Sequence, residues 1–283
     1  MLTSLFCFLI FTFASLGATA SSLHQESSSN TVLDYLVYSN HNAPYQFSDV
    51  VSGHKGIVCA IVDEIAIAAD MKVHPHMEPI KRLKRSISSN RYRHWVTYGM
   101  RVWEDDPLWQ QHHFSELDLF LFKPAVIQRA DSAQPVKSLL DIGTKKVLLI
   151  LGFDYGAVEK LLIRRGAKIQ WVANQTKALN MLRQGRADVF LEDELRARFN
   201  LADMNLSPEE FRFEPLSPID ESVTRVALVM SADMPDAVVA TMNRVLKQMQ
   251  DSGRLQQIVS QYNHGDPRQV SPQLESHSAK SGL

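Results

Sequence analysis

Between residues 145 and 193 the chain repeats one unit, an apolar segment followed by a stretch of helical periodicity. KKVLLILG (145–152), AKIQWVAN (167–174) and ADVFLED (187–193) are the apolar segments. AVEKLLIRRG (157–166) and QTKALNMLRQG (175–185) lie between them and each ends on a glycine, a common residue just past a helix C-terminus. Short apolar runs alternating with amphipathic helices specify an α/β fold with largely parallel strands.

The alternation continues on both sides. TVLDYLVYS (31–39) reads as a first strand, followed by the loop NHNAPYQF, a turn at Ser52-Gly53 and an apolar helix over 57–71. A short strand near Val73 and a helix in EPIKRLKRSISSN follow; the helix opens near Pro79, a residue tolerated in a first turn. Its Lys81, Arg82, Lys84 and Arg85 read as a solvated face. HWVTYGM is a further strand and VKSLLDIG a short helix. Beyond 193 come FRFEPLSPI, the strand TRVALVMSAD, and two amphipathic helices, PDAVVATMNRVLKQMQ and GRLQQIVSQY. The chain is expected to cross between two units within 114–134 and again within 208–218.

The first twenty residues, MLTSLFCFLIFTFASLGATA, run apolar through Phe13 and end in Ala18-Thr19-Ala20. This is the layout of a cleaved secretory signal peptide, residues 1–20, although no Lys or Arg precedes the run. A spanning anchor needs about 20 apolar residues, and this run is shorter and broken by Ser15 and Gly17. Past the leader Cys59 is the sole cysteine, so no intramolecular disulfide forms, and its apolar neighbours describe a buried, inert thiol. Residues 21–30 are polar, and 263–283 read as a disordered tail. The formal net charge of -1 lacks the basic excess of a nucleic-acid binder.

Six stretches, in order, resemble the extracytoplasmic solute-binding proteins of the polar-amino-acid class, which have the type 2 periplasmic binding fold. They are APYQF, GHKGIVCAIVDEIAIAAD, RLKRSISSNRYRHWVTYGMR, FSELDLFLF, KVLLILGFDYGAVEKLL and ALNMLRQGRADVFLEDE. The last is the most specific, and together they span about 31–262. The resemblance implies two lobes with a hinge and an inter-lobe cleft. Lobe 1 is discontinuous, 31–120 plus 215–262, and lobe 2 is 121–214. It implies a monomeric, non-enzymatic periplasmic protein that closes over a small polar solute, amine-bearing or amino-acid-like, for the permease of an ABC transporter. A sensory protein that presents its closed form to a membrane receptor is an alternative. So are a dehydratase-like enzyme on the same fold and a protein–protein module with a closed-off cleft.

The resemblance also singles out residues. Asp193 matches the carboxylate that pairs with a ligand's α-ammonium; its place before Glu194-Leu195-Arg196 suits a helix N-cap equally. Tyr45 matches the aromatic that stacks on the ligand, or it packs within its lobe. Tyr98, Gly99, Met100 and Arg101 occupy the first ligand loop. There the sequence departs from the family: RVWEDDPLWQQHHFS has no Arg at the place of the ligand-carboxylate clamp, and Arg101 lies a few residues early as a substitute. Trp103 and Trp109 either widen an aromatic cleft or cover the lobe core.

The turn 152–156 opens a helix whose free N–H groups suit an anion, with Asp154 and Tyr155 facing the cleft. It is neither a dinucleotide fingerprint nor a P-loop. Asp188 and Glu192 read as fold-maintaining or solvated, with Glu192 and Asp154 the acids a dehydratase would use. His74 and His76 stand two apart on an expected strand, an arrangement that can bind metal. With no third ligand evident in the sequence, no metal or cofactor is assigned. H-E-x-x-H, G-x-S-x-G and C-x-x-C are absent.

Overall fold

A computed structural model describes residues 31–39, 42–48, 53–219 and 224–263. The expected signal peptide, the polar 21–30 segment, Ser52 and, beyond Asn263, the expected tail lie outside the described residues.

Ten strands form two five-stranded sheets. The first has the order β2-β1-β3-β10-β4, from β1 (Val32–Tyr38), β2 (Lys72–Glu78), β3 (Trp95–Met100), β4 (His113–Leu121) and β10 (Arg225–Met230). β1 runs parallel to β2 and β3, and β10 is antiparallel to β3 and β4. The second has the order β7-β6-β8-β5-β9, from β5 (Pro124–Arg129), β6 (Lys146–Ile150), β7 (Lys168–Val172), β8 (Val189–Asp193) and β9 (Phe211–Pro215). Here β6 is parallel to β7 and β8, and β5 is antiparallel to β8 and β9. The α/β architecture read from the sequence is the one observed.

Strand composition follows burial. β6 and β8 lie inside a sheet covered on both faces, so both are continuously apolar at their centres rather than alternating. Leu148 and Ile150 enter one core beside Ile127, Leu179 and Phe190, while Val147 and Leu149 enter another beside Val126, Leu162 and Val189. β2 carries Pro75 because it is an edge strand, paired only with β1 among the described residues, where a missing N–H costs no ladder bond. The first core joins β1, β3 and β10 to α1 (Ile57–Ala68), α6 (Asp236–Asp251) and α7 (Arg254–Asn263).

Several boundaries differ from expectation. The apolar helix ends at Ala68, with Asp70 at φ 53° turning the chain into β2. The expected helix in 136–143 is a single 3-10 turn, Leu139–Asp141. The crossing region 114–134 holds two strands, β4 in one sheet and β5 in the other, so the passage narrows to Phe122 and Lys123. Helix α5 (Glu194–Asp203) starts directly from β8. Its Leu195 and Phe199 reach the first core, where Phe199 meets Phe47 at 5.7 Å between ring centroids. No helix among the described residues is long and apolar enough to cross a membrane.

Trp103 and Trp109 stack at 5.2 Å within the first lobe. Gly99 permits this, because a Cβ there would meet Trp103 at 2.9 Å and Val229 at 2.8 Å. His112 closes the cluster edge-on to Trp95, and its Nδ1 accepts the Ala232 N–H at 3.0 Å. Burial, reinforced by His113, lowers the His112 pKa from the ordinary imidazole value. Its neutral form is therefore favoured by folding. That stability is complete above the unfolded imidazole pKa of about 6.5 and is lost as pH falls through the lower folded value. The melting temperature is expected to drop between pH 7.5 and 5 by more in the wild type than in His112→Gln; equal drops would remove His112 from the account.

Candidate inter-lobe binding site

The loop 42–47 carries Tyr45 from the end of β1 to the head of α1. The Ile57 and Val58 N–H groups, among the free donors of that helix's first turn, bind the carbonyls of Pro44 and Tyr45 at 2.9 and 3.0 Å. Gly56 makes the approach possible. It sits at φ 129°, and a Cβ would lie 2.4 Å from the Tyr45 carbonyl oxygen. Gln46, fully buried, spans β1 by donating to the Tyr35 hydroxyl at 2.8 Å and accepting from the Tyr38 N–H at 3.1 Å.

From this anchored loop Tyr45 points across to the second lobe. Its ring stacks on Phe120 at 5.0 Å and meets Phe122 edge-on at 4.8 Å. Its hydroxyl donates to Asp193 Oδ1 at 2.6 Å. Burial, with the neighbouring Asp193 charge, holds the Tyr45 pKa well above the phenol range, so the proton stays on the hydroxyl. The same carboxylate caps α5 by accepting the Arg196 N–H at 3.0 Å, and its other oxygen accepts the Lys123 N–H at 2.8 Å. Asp193 is therefore the helix N-cap that its place before Glu194-Leu195-Arg196 allowed, and its carboxylate also faces the other lobe.

One turn into α5, Arg196 folds back into the space between the lobes. Its Nη1 donates to Glu192 Oε1 at 2.8 Å, and its Nη2 lies 3.4 Å from Asn42 Oδ1. The guanidinium carbon is 5.2 Å from the ring centroids of Tyr45 and of Phe153, and 5.8 Å from that of Phe122. Such distances give cation–π attraction, strongest where water is excluded. Burial opposes the charge, but Glu192 together with Tyr98, Asp193 and Tyr45 more than compensates and raises the Arg196 pKa. Burial pushes the Glu192 carboxyl upward, offset in part by Arg196; Glu192 also accepts the Asp193 N–H at 2.8 Å and the Gln175 side-chain amide at 2.9 Å.

Two buried donors remain without a hydrogen-bond partner here, Asn42 Nδ2 from the first lobe and Arg196 Nε from the second. Beside Asn42 a cavity of about 240 Å³ lies between the lobes, lined by Asn42, Gln46 and Phe47 on one side and Asn174, Gln175 and Asn200 on the other. A larger open groove, with Lys146, Lys177 and Arg186, runs along the second lobe alone.

The singled-out residues divide. Tyr45, Tyr98 and Asp193 converge: the Tyr98 hydroxyl donates to Asn42 Oδ1 at 2.8 Å, and burial pushes its pKa up to about 12. Tyr155 lies behind the site, its hydroxyl accepting the Ile150 N–H at 2.9 Å. Asp154 is exposed and caps its own turn at the Gly156 N–H. Met100 ends β3, paired with Val226 of β10. Arg101 bonds Asp118 at 2.8 Å, Glu104 at 2.7 Å and the Ser115 carbonyl, and Trp103 packs on the first core. Asn42, Phe122, Phe153 and Arg196 were missed. Arg196 was legible in principle, since i, i+4 spacing from Glu192 marks a pair, but β8 ends between them.

No family model matches the chain, and no curated protein matches it in sequence. Solved structures do. An ancestral arginine-binding protein bound to arginine is 18% identical, with a TM-score of 0.63, over 82% of this chain and 97% of that one. The amino acid ABC transporter substrate-binding protein AbpA from Streptococcus pneumoniae, bound to L-arginine, is 15% identical with a TM-score of 0.62, covering 84% and 96%. Substrate binding domain 2 of Lactococcus lactis GlnP, in an open conformation, is 14% identical with a TM-score of 0.60, covering 85% and 98%. At such identities the likeness speaks for architecture: the chain has the two-lobed fold of the type 2 periplasmic binding proteins.

Proposed function

We propose that this is an extracytoplasmic solute-binding protein, which captures a small, polar, amino-acid-like solute between its lobes and delivers it to the permease of an ABC transporter. The likeness to amino-acid-binding proteins of such transporters supports the class. One observation carries the site: two buried donors, Asn42 Nδ2 in one lobe and Arg196 Nε in the other, have no hydrogen-bond partner, and Asn42 lines a cavity between the lobes. Both are N–H groups, so the group they lack is an acceptor such as a carboxylate or amide carbonyl. In this reading Arg196 replaces the carboxylate clamp missing from the first lobe. Asp193 is the partner for an ammonium, which must take the place of the Tyr45 hydroxyl.

The test is thermal shift and calorimetry on the chain without residues 1–20, against a panel of amino acids, amides, amines and carboxylic acids. A binder at one hundred times its dissociation constant stabilises by about 2.7 kcal/mol, roughly 5–10 °C for a protein of this size. Asp193→Ala should weaken amine-bearing solutes, and Asn42→Ala acceptor-bearing ones. A second reading, the module with a closed-off cleft, has one observation behind it: the protein's own guanidinium already fills the aromatic box. If no solute moves the melting temperature, transport fails and that reading stands.

A further inference from the structure

We propose that Asp34, His74 and His76 form a binding site for a divalent transition-metal ion of the zinc class on the outer edge of the first sheet. The sequence supplied two imidazoles with H-x-H spacing but no third ligand. The sheet supplies it from forty residues away: β1 and β2 pair in parallel with Asp34 opposite His74 and Leu36 opposite His76. Residues i and i+2 of a strand share a face, so both histidines and the carboxylate stand on the same side. Asp34, His74 and His76 each offer one ligand atom, all within 4.8 Å of one another, and among the described residues no other such group of three occurs.

The donor set is chemically suited. Two imidazole nitrogens and one carboxylate oxygen leave a fourth tetrahedral position for water, the pattern of an open zinc site. Zinc bonds of about 2.0–2.1 Å put tetrahedral ligand atoms about 3.4 Å apart. His74 Nδ1 is 3.7 Å from Asp34 Oδ1, and His76 Nε2 is 2.7 Å from the same oxygen, so one distance shortens slightly and the other opens by less than an ångström. Metal would replace the His76–Asp34 hydrogen bond with two coordinate bonds.

Neighbouring groups fix the ligands. The Arg93 N–H donates to Asp34 Oδ2 at 3.3 Å, orienting the carboxylate. The Tyr92 ring lies 4.2 Å from the His76 ring. The Arg93 guanidinium is paired with Asp233, which limits its repulsion of an incoming ion. The His74 side chain is 65% exposed, leaving an entry path from solvent. As an edge strand, β2 has no further strand beyond it among the described residues.

The experiment uses the whole chain after chelator treatment, titrated with zinc chloride by calorimetry and with cobalt chloride by visible absorption. One equivalent of each metal is expected, the cobalt spectrum having the weak d–d bands of a nitrogen–oxygen site. Loss of even an outer partner costs a metal site 10–100-fold in affinity, so His74→Ala and Asp34→Asn should each lose at least about 100-fold. His74→Ala is the primary variant because its exposed side chain supports nothing else in the fold. Asp34→Asn preserves shape, its oxygen accepting the Arg93 N–H and its NH2 donating to the neutral His76 Nε2, so loss of binding there reads ligation rather than unfolding. Absence of binding to the wild type, or equal zinc affinity in wild type and His74→Ala, overturns the proposal.

Discussion

Replacing Arg196 with methionine is expected to destabilise the protein by about 3–5 kcal/mol, the usual cost of stranding one member of a buried ion pair. Glu192 would keep its Asp193 and Gln175 donors but lose the cation 2.8 Å away, with almost no solvent to replace it. Urea denaturation followed by circular dichroism measures the effect. The double variant Arg196→Met/Glu192→Gln separates two causes. If an unpaired charge is the problem, the neutral amide restores most of the loss, because its oxygen still accepts the Asp193 N–H and its NH2 donates to the Gln175 side-chain oxygen once that amide turns over. If the loss comes instead from guanidinium packing on Tyr45, Phe122 and Phe153, the double variant stays as unstable as the single one.

The second large effect concerns lobe separation. Tyr45→Phe keeps the stacked ring and deletes only the hydroxyl that reaches Asp193 across the lobes. A hydrogen bond to a charged acceptor is worth about 1.5–3 kcal/mol, so the ratio of open to closed molecules should rise about tenfold to a hundredfold. Fluorophores on cysteines introduced at the exposed positions Lys81 and Lys160 would read the distance between lobes; Cys59 is buried and would not label. Asp193→Ala should open the lobes as far and also lose about 1 kcal/mol from the missing helix cap. An unchanged distance distribution in Tyr45→Phe would mean that apolar contacts, such as Phe47 on Phe199, hold the lobes together unaided.

The fold was legible because periodicity records which faces are buried. The strands around Leu148 and Phe190 and the helices between them came directly from the pattern, since both sheet faces needed cover. Less was readable where length decides: PAVIQR looked like a connection because only Phe122 and Lys123, with no glycine between, separate it from β4. The site was legible only in part. Tyr45 and Asp193 came from the resemblance, and the structure brings them within one hydrogen bond. Arg101 was chosen by proximity in sequence, but Asp118 on β4 claims its guanidinium. Arg196 went unnoticed because a charged residue in a helix is ordinarily read as solvated; only the fold shows that this one points inward. The third member of the Asp34–His74–His76 group was hidden for the same reason, since strand pairing is a long-range fact.

The buried guanidinium also bears on selectivity. A cation arriving from solution competes at the aromatic box with one that is covalently tethered, whose effective concentration is about millimolar or higher. A dissolved cation of equal intrinsic fit, present at micromolar levels, loses that contest by about a thousandfold. If the proposed site is the binding site, no steric barrier is required, because prior occupancy does the sorting: arginine-like side chains would be turned away, while an acceptor-bearing solute would find a positive charge already in position.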